Sequence, residues 1–393
     1  MDVTPQYLLS FSFALLCWMC GWLALGGIRF LASPGRRRTA SPRAAPTPVP
    51  SPPLPFRRLS VIIPARNEAG SIGNLLDSLA DSAPEDTAVE VIVVDDGSSD
   101  RTAEIAATRG VRTIPAGSLP AGWTGKNHAL WVGVQESHGD QMLFLDADCT
   151  VEPGFFRHLA QVADGRSRLI TVQPYHRTEG TVENLSAIFN LVVLAAFGSF
   201  RLPRQRRTPT GGYGPCMLVD RATYLDVGGH EAIRDEVLDD VALATRFARR
   251  GYGVENFAGR GSISYRMYPG GFLDLIEGWS KHLATGIAVP TPSILVMLVL
   301  WISGMVAAAA QLTGAVPLGT EMVVWATAVY IAYAAQLHYL LTRIGSFGLV
   351  PAVLFPASVG FFFLVLAYSA VKIWLVGSVQ WKGRTISRKK DSS

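Results

Sequence analysis

The stretch LSVIIPARNEAGSIGNLLDSL, residues 59–79, contains the repeating unit that decides the fold. Four of its first five residues are aliphatic, which predicts a buried strand. Four apolar residues then recur at the i, i+3, i+4, i+7 spacing of one helical face: Ile72, Leu75, Leu76 and Leu79. The stretch therefore predicts a strand followed by an amphipathic helix.

The same alternation continues along the chain. Further strands are predicted at 89–94, 111–114 and 141–146, and helices at 98–110 and 126–137. Repeated strand–helix units predict an α/β domain with a parallel sheet and helices on both faces. The fingerprint G-x-G-x-x-G does not follow the first strand, so the sequence does not support dinucleotide binding.

The composition is too apolar for an ordinary soluble protein. The chain has 393 residues, of which 49% are hydrophobic and 17% charged, and its net charge is +4. The arginines gather near apolar segments, which indicates an anionic membrane surface as a partner and not nucleic acid. Cys17 and Cys20 have no second ligand pair beside them, so we expect neither a metal site nor a disulfide framework.

Four apolar runs are candidates for membrane segments. The uncharged run 8–28 is followed by arginines, so we expect an N-terminal anchor with its N-terminus outside the cell. Later runs lie at 294–310, 322–341 and 347–371. Four simple crossings would leave the basic C-terminal tail outside, although basic tails prefer the cytoplasm. We therefore expect the last run to be broken or to form a re-entrant hairpin.

These observations give an expected domain order for a multi-pass protein of the cell membrane with a cytoplasmic catalytic domain. It consists of a transmembrane anchor (1–32), a basic Pro-rich linker (33–57), a catalytic domain (58–286), C-terminal membrane segments (287–380) and a basic cytoplasmic tail (381–393). The linker composition predicts a semi-stiff, extended spacer.

Acidic residues follow three of the predicted strands, in PARNE (64–68), DDGSSD (95–100) and DAD (146–148). The carboxyl ends of parallel strands meet at one edge of a sheet, where ligands bind. Asp146 and Asp148 would point to the same side of an extended chain. Two such carboxylates repel each other unless a cation or donor group lies between them. Mg²⁺ or Mn²⁺ commonly bridges carboxylates to substrate phosphates, although turn or cap residues are the alternative.

Five stretches together resemble glycosyltransferase family 2 of the GT-A fold over about residues 58–260: SVIIPARNEAGSIGNLLDSL, VEVIVVDDGSSDRT, GWTGKNHAL, FLDAD and VGGH…VLDDVALATRFARRGYGV. The resemblance implies a Rossmann-like parallel or mixed sheet, here flanked by an N-terminal and several C-terminal transmembrane helices. It also implies an inverting transfer from a UDP-sugar with a divalent cation, Mn²⁺ or Mg²⁺, as cofactor.

The resemblance assigns roles to individual residues. It implies that Asp96 reads uracil, that Asp146 contacts ribose and that Asp148 holds the metal. The other nucleotide-sugar residues are Pro64, Glu68 near the nucleoside and Lys126 facing the diphosphate.

The pair Asp239–Asp240 matches the later acidic motif of the family, whose second residue usually acts as a base. A helix start is the other reading of this pair, and both readings can hold. His230, in GGH, is a candidate for donor or acceptor contact, with a structural hydrogen-bonding histidine slightly favoured.

Processive members of the family carry Q-x-x-R-W where this chain has LIEGWSKHLATG (275–286). The substitution of that motif favours transfer of a single sugar over polymer synthesis. Trp279 and Lys281 in this stretch are candidates for contact with the acceptor or sugar, and Trp279 is expected at the level of the lipid headgroups.

Further stretches resemble the carotenoid-acid branch of the family over nearly the whole chain: 172–178, 186–191, 213–218, 266–286 and 379–387. The resemblance implies a glucosyl ester made from UDP-glucose and a C30 carotenoid acid. The apolar stretch 186–200, followed by arginines, fits an interfacial helix or a core helix equally well. Alternative acceptors are a hopanoid, diacylglycerol or polyprenyl phosphate. An inactive scaffold would be expected to have lost acidic motifs, which are intact here.

Overall fold

The computed structural model describes residues 4–32, 58–84, 88–163, 166–202, 209–286, 290–315, 317, 319–376, 378–381 and 384–387. The chain forms two compact units. The sheet unit comprises Arg29–Tyr175 and Gly211–Tyr265, and the helical unit comprises Met1–Ile28, His176–Thr210 and Arg266–Ser393. The expected linker 33–57 lies outside the described residues.

The unit limits differ from the expected domain limits. Segments 176–210 and 266–286, which the sequence placed inside the catalytic domain, belong to the helical unit. Arg29 and Phe30, which the sequence placed in the anchor, belong to the sheet unit because this segment pairs with a sheet strand at Ala258.

The sheet unit is built on ten strands. They are β1 (Arg58–Ala65), β2 (Ala88–Asp95), β3 (Arg112–Pro115), β4 (Gln141–Leu145), β5 (Cys149–Val151), β6 (Arg168–Gln173), β7 (Tyr175–His176, at the limit of the unit), β8 (Cys216–Asp220), β9 (Gly253–Ala258) and β10 (Ile263–Tyr265). Seven of them form one sheet in the order β3-β2-β1-β4-β8-β6-β9. A smaller sheet has the order β5-β10-β7.

The first four strands are parallel, as the strand–helix alternation predicts. The seven-stranded sheet is nevertheless mixed, because β8 runs antiparallel to both β4 and β6. The α/β class and the mixed sheet of the GT-A resemblance are therefore confirmed. The antiparallel strand brings the chain back beside β4, next to Asp146.

Six helices cover this sheet or connect its strands: α2 (Ile72–Ser82), α3 (Thr102–Thr108), α4 (Gly125–Glu136), α5 (Phe155–Val162), α7 (Arg221–Asp226) and α8 (Asp239–Arg249). The four predicted apolar residues of α2 are all buried. Helix α4 packs closely over β1, because a Cβ at Gly133 would collide with Ile62. Helix α3 begins four residues later than predicted, since Asp100 is used to accept hydrogen bonds from Ala69 and Thr102.

The helical unit contains the remaining elements: α1 (Thr4–Leu25), α6 (Ala187–Ala196), α9 (Phe272–Gly286), α10 (Pro292–Gly314), α11 (Thr320–Ile344), α12 (Leu349–Val353), α13 (Phe355–Val376), and the hairpin strands β11 (Ser378–Trp381) and β12 (Arg384–Ser387). Helix α6 is largely buried, as expected for the core-helix reading of residues 186–200.

Helix α1 is joined to the later helices by polar contacts. The Tyr333 hydroxyl donates to the carbonyl of Ala14 at 2.7 Å, and Nε2 of Gln336 donates to the carbonyl of Trp18 at 2.9 Å. Gly304 lets α10 approach α11 closely, because a Cβ at this position would collide with the Tyr333 hydroxyl of α11. Helix α1 is therefore a structural member of the helical unit.

Two helices among the described residues are long and apolar enough to cross a membrane, at Pro292–Gly314 and Phe355–Lys372. The apolar part of α1, Leu9–Leu25, is shorter and is not a clear span. Helix α11 covers the expected run 322–341 but is not one of these two candidate spans. Its polar residues Gln336 and His338 lower its mean hydropathy.

The predicted break in the last apolar run is confirmed and lies at Leu354, between α12 and α13. After the break, α13 continues without interruption through Gly360. The run 349–376 is therefore a short helix followed by a long one and does not form the predicted hairpin.

Candidate active site

Acidic residues follow three adjacent parallel strands of the sheet. Glu68 lies in the loop after β1, Asp96 directly follows β2, and Asp146 directly follows β4. The order β2-β1-β4 makes these strands neighbours. The three carboxylates therefore lie along one edge, where open α/β sheets bind their ligands.

Lys126, in the first turn of α4, joins two of the acidic segments. Its Nζ lies 2.8 Å from Oδ1 of Asp146 and 3.4 Å from Oδ2 of Asp239. Burial by itself would lower the pKa of Lys126, but the two carboxylates outweigh burial and raise this pKa above its usual range. Lys126 is therefore a permanent positive charge within an acidic cluster.

Asp146 and Asp148 lie in a turn. Strand β4 ends at Leu145, and the N–H of Cys149 donates to the carbonyl of Asp146 at 3.2 Å. The expectation that the two side chains share a face of an extended chain is therefore wrong. The chain turns here because the next strand, β5, pairs with β10 in the smaller sheet. Asp146 is half-buried, whereas Asp148 is exposed.

Asp239 and Asp240 are the first two residues of α8, where the helix dipole favours negative charge. Each carboxylate oxygen of Asp240 accepts a backbone hydrogen bond, Oδ2 from Gly214 at 3.1 Å and Oδ1 from Val241 at 2.8 Å. Burial and the adjacent Asp239 carboxylate raise the pKa of Asp240 to about 7. Asp240 therefore titrates near neutral pH.

Gly214 was not identified from the sequence. A Cβ at this position would lie 3.5 Å from both Nζ of Lys126 and Oδ2 of Asp240. These are ordinary van der Waals distances, so Gly214 lies against both the ammonium and the carboxylate. The available signal was the glycine-rich stretch GGYG at 211–214.

The loops after β1 and β2 are tied together. Arg66 donates to the carbonyl of Asp96 at 2.5 Å, and the Asp96 side chain is buried beneath it. Asn67 adopts a left-handed φ of 53°, and its Oδ1 accepts from the N–H of Ser99 at 2.8 Å. Pro64 lies within β1, two residues before Arg66. These contacts fix the loop that carries the expected uracil-reading residue.

His230 lies in the core of the sheet unit, with no exposed surface. Its Nδ1 is 2.7 Å from the Tyr224 hydroxyl, and its ring packs edge-on against Phe144. Burial lowers the pKa of His230 to about 4, so the imidazole is neutral at neutral pH. This placement matches the structural hydrogen-bonding histidine of the sequence analysis.

Trp279 and Lys281 lie on α9 of the helical unit. Trp279 is buried, its Nε1 donates to the Ser186 hydroxyl at 2.9 Å, and its ring stacks on Phe189. These neighbours enclose the Trp279 ring within the helical unit, and its expected position at headgroup level stays a prediction. The Lys281 side chain lies outside the described residues.

The acidic edge can supply ligands to a divalent cation but not a complete cage. Among the described residues, no group of three or more His, Cys, Asp or Glu side chains is placed to hold a metal. Asp148 offers an exposed carboxylate beside Asp146. Mg²⁺ and Mn²⁺ often take one or two carboxylates and complete their shell with substrate phosphates and water. The residues present fit such a shared site.

The mixed sheet with its acidic carboxyl edge is a GT-A-like α/β domain. The fold agrees with a solved mannosyltransferase from Pyrobaculum calidifontis in complex with GDP-Man and Mn²⁺. The two chains share a TM-score of 0.51 and 17% identity over 93% of this chain and 96% of that one.

The chain belongs to glycosyl transferase family 2, and it matches this family over residues 60–228. It is 34% identical over 342 residues to the 4,4'-diaponeurosporenoate glycosyltransferase of Staphylococcus aureus strain USA300. The aligned part covers 85% of this chain and 90% of that relative. The enzyme of the same name from strain MRSA252 is also 34% identical, over 343 residues. The protein is therefore a glycosyltransferase, homologous to an enzyme of carotenoid biosynthesis.

Proposed function

We propose that this glycosyltransferase moves glucose from UDP-glucose to a lipophilic carboxylic acid of the carotenoid type and forms a glycosyl ester. The observation that carries the proposal is the 34% identity, over 85% of the chain, to a glycosyltransferase named for the carboxylate 4,4'-diaponeurosporenoate. That similarity extends beyond the family match at 60–228 and includes much of the helical unit.

On the donor side, we assign the uracil ring to Asp96 and the nucleoside to the neighbouring Pro64 and Glu68. Asp146 is assigned to the ribose. A carboxylate accepts hydrogen bonds from the imide N–H of uracil or from ribose hydroxyls, which suits these assignments. The fixed loop at Arg66 and the position of all four residues at one sheet edge support them.

Lys126 is assigned to the diphosphate. In the structure its ammonium contacts the Asp146 and Asp239 carboxylates, so it is already held as a cation at the acidic edge. A positive charge at this place would neutralise the charge that develops on the departing UDP.

Asp148 is assigned to a divalent cation, Mn²⁺ or Mg²⁺, shared with the donor diphosphate. A cation held there would supply Lewis-acid chemistry that offsets charge on the leaving diphosphate. The exposed carboxylate of Asp148 at the turn supports this assignment.

The reaction that follows is a displacement with inversion. An acceptor carboxylate oxygen forms a bond to the anomeric carbon, while the bond from that carbon to the diphosphate breaks and UDP leaves with the electron pair. The carboxyl group of a carotenoid acid should have a pKa of about 4.3, like that of Glu. At neutral pH the acid therefore arrives ionised and has no proton to give up. Asp240 then has no proton to remove, and we assign it to holding the start of α8 and orienting the sugar.

A hydroxyl or phosphate lipid is the second candidate acceptor, and the intact acidic pair Asp239–Asp240 at the start of α8 favours a hydroxyl. The pKa of Asp240 is raised to about 7, which suits a general base that works at neutral pH. A hopanoid or diacylglycerol would need such a base because an alcohol keeps its proton at this pH.

The protein is proposed to be a multi-pass membrane protein with its catalytic domain (58–286) in the cytoplasm. Support comes from the two candidate spans in α10 and α13. We further propose that 1–32 anchors the chain, that 287–380 forms the other membrane segments, and that the linker 33–57 and the tail 381–393 are cytoplasmic. Membrane lipids would then surround the helical unit. Assignment of the acceptor to His230, Trp279 and Lys281 stays a prediction.

The test is to incubate membranes that contain the protein with labelled UDP-sugars and a lipid extract, and to identify the product by mass. The expected product is a carotenoid acid that has gained one hexose. A labelled hopanoid, diacylglycerol or polyprenyl phosphate with no labelled acid would replace the lead proposal with the second one.

A further inference from the structure

We propose that Asn127 is a positioning residue that holds Lys126 against the carboxylate of Asp239. The expected effect on the rate of transfer rests on the proposed function. The contact between the Lys126 ammonium and the Asp239 carboxylate is seen in the structure and does not depend on that function.

The Asn127 side chain is fully buried and bonds to one loop. Its Nδ2 donates to the carbonyls of Ile233 at 2.8 Å and Glu236 at 3.0 Å, and lies 3.4 Å from the carbonyl of Arg234. Carbonyl groups only accept hydrogen bonds, so the three of them fix which end of the amide faces the loop. An aspartate or an aliphatic side chain cannot make these bonds.

The same loop is held a second time at the start of α4. The N–H of Thr124 donates to the carbonyl of Arg234 at 2.7 Å. Thr124 is also the N-cap of α4, since its hydroxyl accepts from the N–H of Asn127 at 3.3 Å. The helix start and the loop 233–236 are therefore joined by both backbone and side chain.

These bonds connect the start of α4 to the start of α8, on either side of the contact between Lys126 and Asp239. Loop 233–236 leads within three residues to Asp239, the first residue of α8. Asp239 contacts Lys126, and Lys126 directly precedes Asn127 in α4. Asn127 therefore fixes the backbone on both sides of the contact between Lys126 and Asp239.

This arrangement matters because the lysine side chain is long and flexible. Its ammonium can keep one place only if the helix that carries it and the carboxylates around it are fixed relative to one another. A misplacement of about 1 Å at a reacting centre can cost about 10²-fold in rate. A loosened loop should thus slow the transfer step more than it weakens nucleotide binding.

The test compares Asn127→Ala and Asn127→Ser with a control, Ser137→Ala. Ser137 is buried at the other end of α4, where its hydroxyl donates to the carbonyl of Val134 at 2.9 Å. The control therefore removes the buried hydroxyl of the C-cap residue of the same helix, at the end away from Lys126. Thermal unfolding of the full-length protein establishes that each variant is folded.

The first readout is the acetylation rate of Lys126 by acetic anhydride, measured by peptide mass. Lys126 is the only lysine in the sequence of the sheet unit, which makes its peptide unambiguous. An ammonium paired with two carboxylates stays protonated and reacts slowly. We expect Asn127→Ala to raise this rate by about tenfold or more, Asn127→Ser to give a smaller rise, and Ser137→Ala to leave it unchanged.

The second readout separates kcat from UDP affinity. We expect Asn127→Ala to lower kcat by about 10²-fold, while the Kd for UDP stays within about threefold, and Asn127→Ser to recover part of the loss. A folded Asn127 variant with the parental labelling rate and kcat would overturn the proposal. An equal loss of kcat in Ser137→Ala would show that the effect comes from a general loss of stability, and this result would also overturn the proposal.

The two proposals fail in different ways. Labelling of Lys126 needs no substrate, so it tests the role of Asn127 even if the parent protein transfers no sugar to a carotenoid acid. Failure to transfer sugar to that acid would overturn only the proposed acceptor. If Asn127→Ala does not fold, Asn127→Ser, which keeps a donor, decides the labelling test.

Discussion

The substitution Asp240→Asn separates the two acceptor classes. It removes the ionisable carboxylate while keeping the size of the side chain. If the acceptor is an acid, no proton has to be removed during attack, and we expect the rate at saturating donor to stay within about tenfold of the parent. If the acceptor is an alcohol, loss of the base should cost about 10²–10⁴-fold.

The structure also predicts the cost in stability. The two oxygens of Asp240 accept hydrogen bonds from the N–H groups of Gly214 and Val241. An asparagine has one oxygen and can accept only one of them, which leaves the other N–H facing an amide NH₂. An unsatisfied buried donor costs about 1–3 kcal/mol, so we expect the free energy of unfolding to fall by no more than this.

The pH dependence gives an independent reading of the same residue. With a pKa of about 7, Asp240 is protonated below neutral pH and ionised above it. A base mechanism requires the ionised form, so the rate should rise about tenfold between pH 6 and pH 8 in the parent and lose that rise in Asp240→Asn. Transfer to a carboxylate should change less over this range, or fall, because ionised Asp240 repels the acceptor.

The assay measures initial rates with purified acceptor in membranes at saturating UDP-glucose, at a temperature where thermal unfolding shows that both parent and variant are folded. A loss of about 10³-fold in Asp240→Asn on an acid acceptor would refute the reasoning, since a base would then be essential where no proton needs removal.

Two further substitutions test the donor site. Asp148→Ala should abolish transfer while thermal unfolding stays unchanged, because the exposed side chain lies at a turn; full activity of the parent in excess EDTA would contradict the metal assignment. Asp96→Ala should weaken UDP binding by about 1.5–3 kcal/mol, the range for a hydrogen bond to a charged group, and calorimetry that finds an unchanged affinity would remove Asp96 from the site.

The sequence was sufficient for the elements whose signals are local. The apolar face of α2, the strands β1 to β4 and the acidic residues after them follow from periodicity and spacing. The turn at Asp146 could not be predicted in this way. It depends on β5 joining a different sheet, and that pairing involves Ile263, more than a hundred residues further along the chain.

The same limit applies to the charges. The sequence identified Lys126 and Asp239 separately and gave no sign of their contact, because α4 and α8 are brought together by the sheet and by loop 233–236. It also found His230 without its partner Tyr224, whose hydroxyl keeps the ring in the core. Long-range polar contacts such as these leave no periodic pattern in a single sequence.

The most direct test of the central claim is the chemical nature of the product. Membranes containing the protein would be supplied with labelled UDP-glucose and a defined C30 carotenoid acid, and the lipid product would be isolated and treated with mild alkali. We predict a labelled product with the mass of the acid plus one hexose, less water, which releases the sugar in alkali as an ester does. A labelled product that resists alkali, as a glycoside does, or an acid that gains no sugar while another lipid does, would contradict the account.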